Sequence, residues 1–77
     1  MIVKEEKFLY YKGFIGSIEF SREDNVYHGR ILGLTASISY EGQSIKTLKE
    51  DFEESIEDYL EFCAQKNVEP EKSVVVV

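Results

Sequence analysis

The acidic side chains on extended segments have the most chemical potential in this chain. Glu19 and Glu41 fall in stretches of alternating polarity, and Asp24 sits in a polar turn. Acids that converge from neighbouring strands hold the metal ions of nucleases. Here the alternation places Glu19 and Glu41 on an outward face and Asp24 in the turn. The remaining carboxylates mostly ring a helix, so convergence on one metal is not expected. The single histidine, His28, needs a nearby nucleophile to do acyl chemistry. Ser17 and Ser37 are the candidates, and no orienting group accompanies them. Gly13, Gly16, Gly29 and Gly33 match neither GxxxxGK[ST] nor GxGxxG, so they read as turn and bulge residues. Cys63 stands on an apolar helix stripe beside Tyr59 and Phe62, as a small buried hydrophobe does. One histidine and one cysteine are a poor basis for a metal centre. The expectation is therefore no enzyme, no cofactor and no metal site.

The elements that carry these residues follow from periodicity. Phe14, Gly16, Ile18 and Phe20 alternate with Ile15, Ser17, Glu19 and Ser21, which predicts a strand. Gly13 and Gly16 within it suggest a bulge or a close backbone approach. Arg22–Asn25 is a turn, and Val26 to Leu32 is the returning strand of a hairpin. Gly33 to Thr35 breaks the chain. Ala36, Ile38 and Tyr40 then alternate with Ser37, Ser39 and Glu41 as a third strand ended by Gly42. Ile45, Leu48, Phe52, Ile56, Tyr59, Phe62 and Cys63 recur at three and four, predicting one long amphipathic helix over 44–66. Ser44 is its N-cap, without a capping box because the third residue on is Thr47. Asn67 is the expected C-cap, and Pro70 bars continuation. The helix carries Glu50, Asp51, Glu53, Glu54, Glu57, Asp58 and Glu61, a solvated acidic surface.

Seventy-seven residues make one domain, residues 1–77. A chain this short buries only about 60–65% of its unfolded surface, which favours support from a partner subunit. A single cysteine excludes an internal disulfide, so a homo-oligomer, dimer or tetramer, is expected. The formal charge of −6 disfavours a sequence-independent grip on phosphates and favours basic partners. Met1 to Lys7 is charged and has no apolar core of signal-peptide length; no stretch approaches a membrane span. A cytoplasmic protein is expected, with no membrane partner. The terminal Val74 to Val77 is apolar and β-prone, and is expected to add a fourth strand within the chain or across a subunit boundary.

The ordered stretch Tyr10-Tyr11-Lys12-Gly13-Phe14-Ile15-Gly16-Ser17-Ile18-Glu19-Phe20-Ser21, followed by Glu23-Asp24-Asn25-Val26-Tyr27-His28-Gly29-Arg30-Ile31-Leu32-Gly33-Leu34, resembles the HicB family of antitoxins. The likeness continues through Ile38-Ser39-Tyr40-Glu41-Gly42, Ser44 and Leu48-Lys49-Glu50-Asp51-Phe52-Glu53. It ends with Asp58-Tyr59-Leu60 and Glu69-Pro70-Glu71-Lys72, and rests on order and spacing over most of the chain. The resemblance implies a degraded ribonuclease-H-like fold without catalytic acids. It also implies a partner: a small basic HicA-type toxin, a ribonuclease acting on messenger RNA, whose active surface the antitoxin masks. Many family members continue into a ribbon-helix-helix or helix-turn-helix domain after the Glu-Pro-Glu-Lys segment. Here only Ser73 and four valines follow, so direct DNA binding is not expected of this chain.

Together these readings predict an α+β fold, a three-stranded antiparallel meander covered on one face by one long helix. Ile45, Leu48, Phe52, Ile56, Tyr59 and Phe62 are expected to meet Phe14, Ile18, Phe20 and Ile38. Charge and exposure, not the resemblance, single out Glu19, Glu23, Asp24 and Glu41 as partner-binding candidates. The competing expectations are an orphan oligomerisation or scaffold module without a toxin and, behind it, a residual nuclease using Glu19 or Asp24.

Overall fold

The computed structural model describes residues 8–73. Its fold is α+β, with strands β1 (Phe8–Tyr11), β2 (Phe14–Ser17), β3 (Glu19–Ser21), β4 (Val26–Arg30) and β5 (Ser39–Gly42), then helix α1 (Ile45–Gln65). All neighbouring strands are antiparallel: β1 with β2, β3 with β4, and β4 with β5. The Gly16–Ile31 bridge joins the two groups and keeps the register of the Glu19–His28 pair. Strands β2 and β3 are thus one line of chain whose ladder lapses near Ile18, where the sequence predicts a single strand. At that lapse the Arg30 amide donates to the Ser17 hydroxyl, 3.1 Å. The expected fourth strand over Val74–Val77 lies outside the described residues, as does the charged start.

One strand escapes the periodicity argument. Phe8-Leu9-Tyr10-Tyr11 is apolar at every position, so alternation gives no signal. Burial nevertheless alternates: Leu9 is buried, whereas Phe8 and Tyr10 are exposed. The hairpin to β2 turns through Lys12 and Gly13, with φ of 49° and 84°. Positive φ at both central residues suits the right-handed twist of a two-residue hairpin. Gly13 is therefore a turn residue and not a bulge within the strand.

The core lies between one sheet face and α1. Leu9, Phe14, Ile31, Tyr40, Leu48, Phe52 and Ile56 form it, and Leu48, Phe52 and Ile56 are wholly buried. The Phe52 ring meets the Tyr40 ring edge-on at 5.0 Å, and Tyr59 meets Phe14 at 6.0 Å. The absence of side chains at Gly16 and Gly29 gives the Tyr40 ring its place. A Cβ on Gly16 would overlap the Tyr40 hydroxyl and come 2.7 Å from the Phe52 ring; one on Gly29 would overlap the Ser17 carbonyl oxygen.

Three expected core residues lie elsewhere. Ile45, Phe62 and Phe20 are exposed, whereas Ile18, Ile38 and Tyr59 pack against the core. Ile45 begins the helix and Phe62 lies near its far end. At about 1.5 Å per residue, 21 residues reach about 32 Å. Strands of three to five residues cannot cover that length, so the end turns overhang the sheet. At the far end Cys63, not Phe62, turns inward and is buried, as expected for that thiol. Phe20 has the inward parity but sits at the tip of the β3–β4 hairpin, where its ring meets Tyr27 at 4.8 Å.

Both helix ends are fixed by side chains and backbone. The Ser44 hydroxyl accepts from the Thr47 amide at 3.1 Å, and the Thr47 hydroxyl accepts from the Ser44 amide at 3.0 Å. A capping box is therefore present, contrary to the expectation based on glutamate or glutamine at that position. Threonine closes it because its hydroxyl reaches the same amide. The C-cap is Lys66, and Asn67 follows with φ of 57°. The Asn67 amide donates to the Ala64 carbonyl and the Val68 amide to the Cys63 carbonyl, the Schellman pattern. The following chain returns to the sheet. The Glu71 amide donates to the Tyr59 hydroxyl, and the Ser73 hydroxyl accepts from the Ile15 amide while donating to the Leu32 carbonyl.

Candidate functional site

The sheet face opposite α1 is open among the described residues, and its side chains follow from strand parity. On β4, Gly29 faces inward and is buried, so His28 and Arg30 face outward, and both are exposed. Register then sets their neighbours. Glu19 of β3 pairs with His28, and His28 pairs with Glu41 of β5. The outcome is a row across three strands with the imidazole between two carboxylates. The next row on the same face runs Ser17, Arg30, Ser39. Exposed Phe8 and Tyr10 line the β1 edge of the face, Phe8 opposite Ser17 and Tyr10 opposite Ile15. Phe8 is paired with Ser17 and so shares the row of Arg30, next to the acidic row, and Tyr10 stands one row further on.

Of the four expected partner-binding residues, Glu19 and Glu41 come together around His28. Glu23 and Asp24 sit in the turn that closes the β3–β4 hairpin, and both are exposed. That turn is ordered by Ser21, whose hydroxyl accepts from the Asp24 amide at 3.4 Å. Asn25 follows in the left-handed region with φ of 54°. Glu23 and Asp24 therefore extend the acidic charge beyond the edge of the sheet face and do not add to the row itself.

Asp51 belongs with this group, although sequence reasoning counted it among the acids ringing the helix. Its Oδ2 accepts from the Glu41 backbone amide at 3.0 Å. This brings a helix carboxylate beside the outer edge of β5, and Asp51 lines a shallow recess with His28, Ser39, Tyr40 and Glu41. No periodicity within the helix marks Asp51, because its partner is an amide on another element. Arg30 was missed for a related reason. It is one basic residue in an acidic chain, and only the register places it against the row.

Among the described residues neither Ser17 nor Ser37 is hydrogen-bonded to His28. The Ser17 hydroxyl accepts from the Arg30 amide, its cross-strand neighbour, and Ser37 lies in the loop between β4 and β5. Among the described residues, no group of three or more His, Cys, Asp or Glu is arranged to hold a metal ion. No helix among them is long and apolar enough to cross a membrane.

Tyr40 supports the open face from beneath. Its hydroxyl donates to the Ser17 carbonyl at 2.9 Å and the Arg30 carbonyl at 3.3 Å, fastening β5 to its neighbour β4 and, across it, to β2. Burial raises the pKa of this phenol far above its usual value, although the Ser17 bond acts in the opposite direction. At the opposite side of the molecule, Lys12 in the β1–β2 turn meets both oxygens of Glu57 at 2.7 and 3.0 Å. That hydrogen-bonded carboxylate raises the ammonium pKa. The pair is solvent-exposed, so it orients the turn more than it stabilises the fold.

Comparison of the chain with protein-family models, with curated proteins and with solved structures found no match.

Proposed function

We propose that this protein is an antitoxin-like protein-binding module that neutralises a HicA-type, mRNA-cleaving toxin by covering its active surface. The observation that carries the reading is the exposed Glu19–His28–Glu41 row, with Asp51 beside it and Glu23 and Asp24 at the adjacent turn. A basic ribonuclease has to present positive charge to its substrate. An acidic row on an open sheet offers the complementary field, which steers encounter and fixes orientation more than it raises affinity. The sequence resemblance supports the same partner class, and the net charge of −6 agrees with it.

The experiment is association with a small basic HicA-type ribonuclease, measured at several salt concentrations. Glu19→Lys combined with Glu41→Lys is expected to slow association about tenfold or more and flatten its salt dependence. Unchanged rates at every salt concentration would show that the row does not meet the partner. The second reading is an orphan oligomerisation or scaffold module, favoured by the exposed aromatic β1 edge of the same face, Phe8 and Tyr10. It predicts self-association and no binding to the basic ribonuclease. A cytoplasmic site of action accompanies the first reading, since its target is messenger RNA.

A further inference from the structure

The outer edge of β1 points to a partner of a particular kind. The Ile15 carbonyl accepts from the Leu32 amide, and the Ile15 amide donates to Ser73. Both backbone groups of Ile15 therefore point away from β1. Tyr10 stands opposite Ile15, so its own amide and carbonyl point away from β2, and those of Phe8 do the same by alternation. Among the described residues no strand lies beyond β1. Strand β1 thus offers donors, acceptors and two exposed aromatic side chains, Phe8 and Tyr10, at the same two positions.

The other sheet edges are guarded. Strand β5 carries Glu41, whose amide is already held by Asp51. Strand β3 carries Glu19 and runs into Arg22. Charged residues and occupied amides are the usual protection of an edge, and among the described residues β1 has neither. Its four residues, Phe8-Leu9-Tyr10-Tyr11, carry no charge.

We propose that β1 pairs antiparallel with β1 of a second copy, about a two-fold axis through Leu9, to form one continuous sheet. In this register Phe8 of each copy stands opposite Tyr10 of the other. The outward amides and carbonyls of that pair are satisfied together, and symmetry repeats the exchange. Phe8 and Tyr10 then form cross-strand aromatic pairs on the open face, an arrangement that stabilises sheets. The surface is self-complementary, as a two-fold interface must be. Charge argues for a second copy meeting here and at no other edge. Two molecules of net charge −6 repel, and β1 is the edge strand that adds no charge to the contact. Edge-to-edge pairing extends the sheet sideways and leaves the face carrying the acidic row uncovered, so the inference does not depend on what binds there.

The test is the mass of the full chain in solution across a concentration series, by sedimentation. The unaltered protein is expected to dimerise. Tyr10→Pro removes the outward amide without breaking the β1–β2 ladder, because proline is tolerated where the N–H faces away from the sheet. Phe8→Lys with Tyr10→Lys instead adds charge to the edge and leaves the backbone intact. Each is expected to weaken dimerisation about tenfold or more, roughly 1.4 kcal/mol, with the circular dichroism of the folded chain retained. A monomer at all concentrations, or a dimer unweakened in the folded lysine variant, would overturn the proposal.

Discussion

Tyr40 shows how much one side chain can set in a small sheet. Its ring fills the space left by Gly16 and Gly29, and its hydroxyl bridges two strands. Its pKa is raised by burial, so the folded state holds the phenolic proton longer than the unfolded chain does. The stabilising effect is complete below the unfolded value of about 10 and is lost as pH rises toward the folded value. Stability should fall above about pH 10, by at most about 1.4 kcal/mol per pH unit from this group. Tyr40→Phe should cost about 1 kcal/mol at neutral pH through the lost hydrogen bonds, and flatten that alkaline decline. Denaturant melts at a series of pH values check both; an equally steep decline in the variant would assign it to another group. The sequence marks Tyr40 only as the inward residue of an alternating strand. Its partners are backbone carbonyls on other strands, which residue types do not reveal.

At the level of elements, α1 was the most legible part of the chain. A 3.6-residue stripe with Ser44 before it and Pro70 beyond it gives its limits to within one residue. The stripe was less informative about which of its members the sheet could reach. Periodicity reports a direction around the helix axis and not a position along it, so Ile45 and Phe62 looked equivalent to Phe52. Phe52 sits at the centre of contact, wholly buried against Tyr40, and Phe52→Ala should cost about 3–5 kcal/mol in chemical denaturation. A much smaller loss would mean that the helix is held mainly by its other contacts. The strands were harder to read. β1 is hidden because a run of four apolar residues has no period, and Lys12–Gly13 is a weaker hairpin signal than Asn-Gly. The β2–β3 line was legible as one strand, and its lapse near Ile18 was not, because the Ser17 hydroxyl takes over an amide that alternation assigns to the ladder.

Across the whole molecule, the acidic row and the aromatic β1 edge of the open face differ in character, and their placement is a property of register. Glu19, His28 and Glu41 are far apart in the chain, and two strand pairings line them up. Sequence reasoning reached the outward parity of Glu19 and Glu41 without knowing that His28 stood between them. It could not have placed Asp51 there, since that contact joins the helix to the sheet. The acidic net charge, by contrast, is readable without any fold.

Ser73 provides an unusual reporter. The Ile15 amide is covered by a hydroxyl from far along the chain, while its carbonyl is covered by Leu32. Most sheet amides exchange their protons with solvent only when strands part. The Ile15 proton should exchange as soon as the segment after the helix lifts away, with the sheet still intact. One backbone resonance would then time a motion that the rest of the ladder cannot see, and an Ile15 exchange rate matching that of Gly16 would mean that segment and sheet open as one.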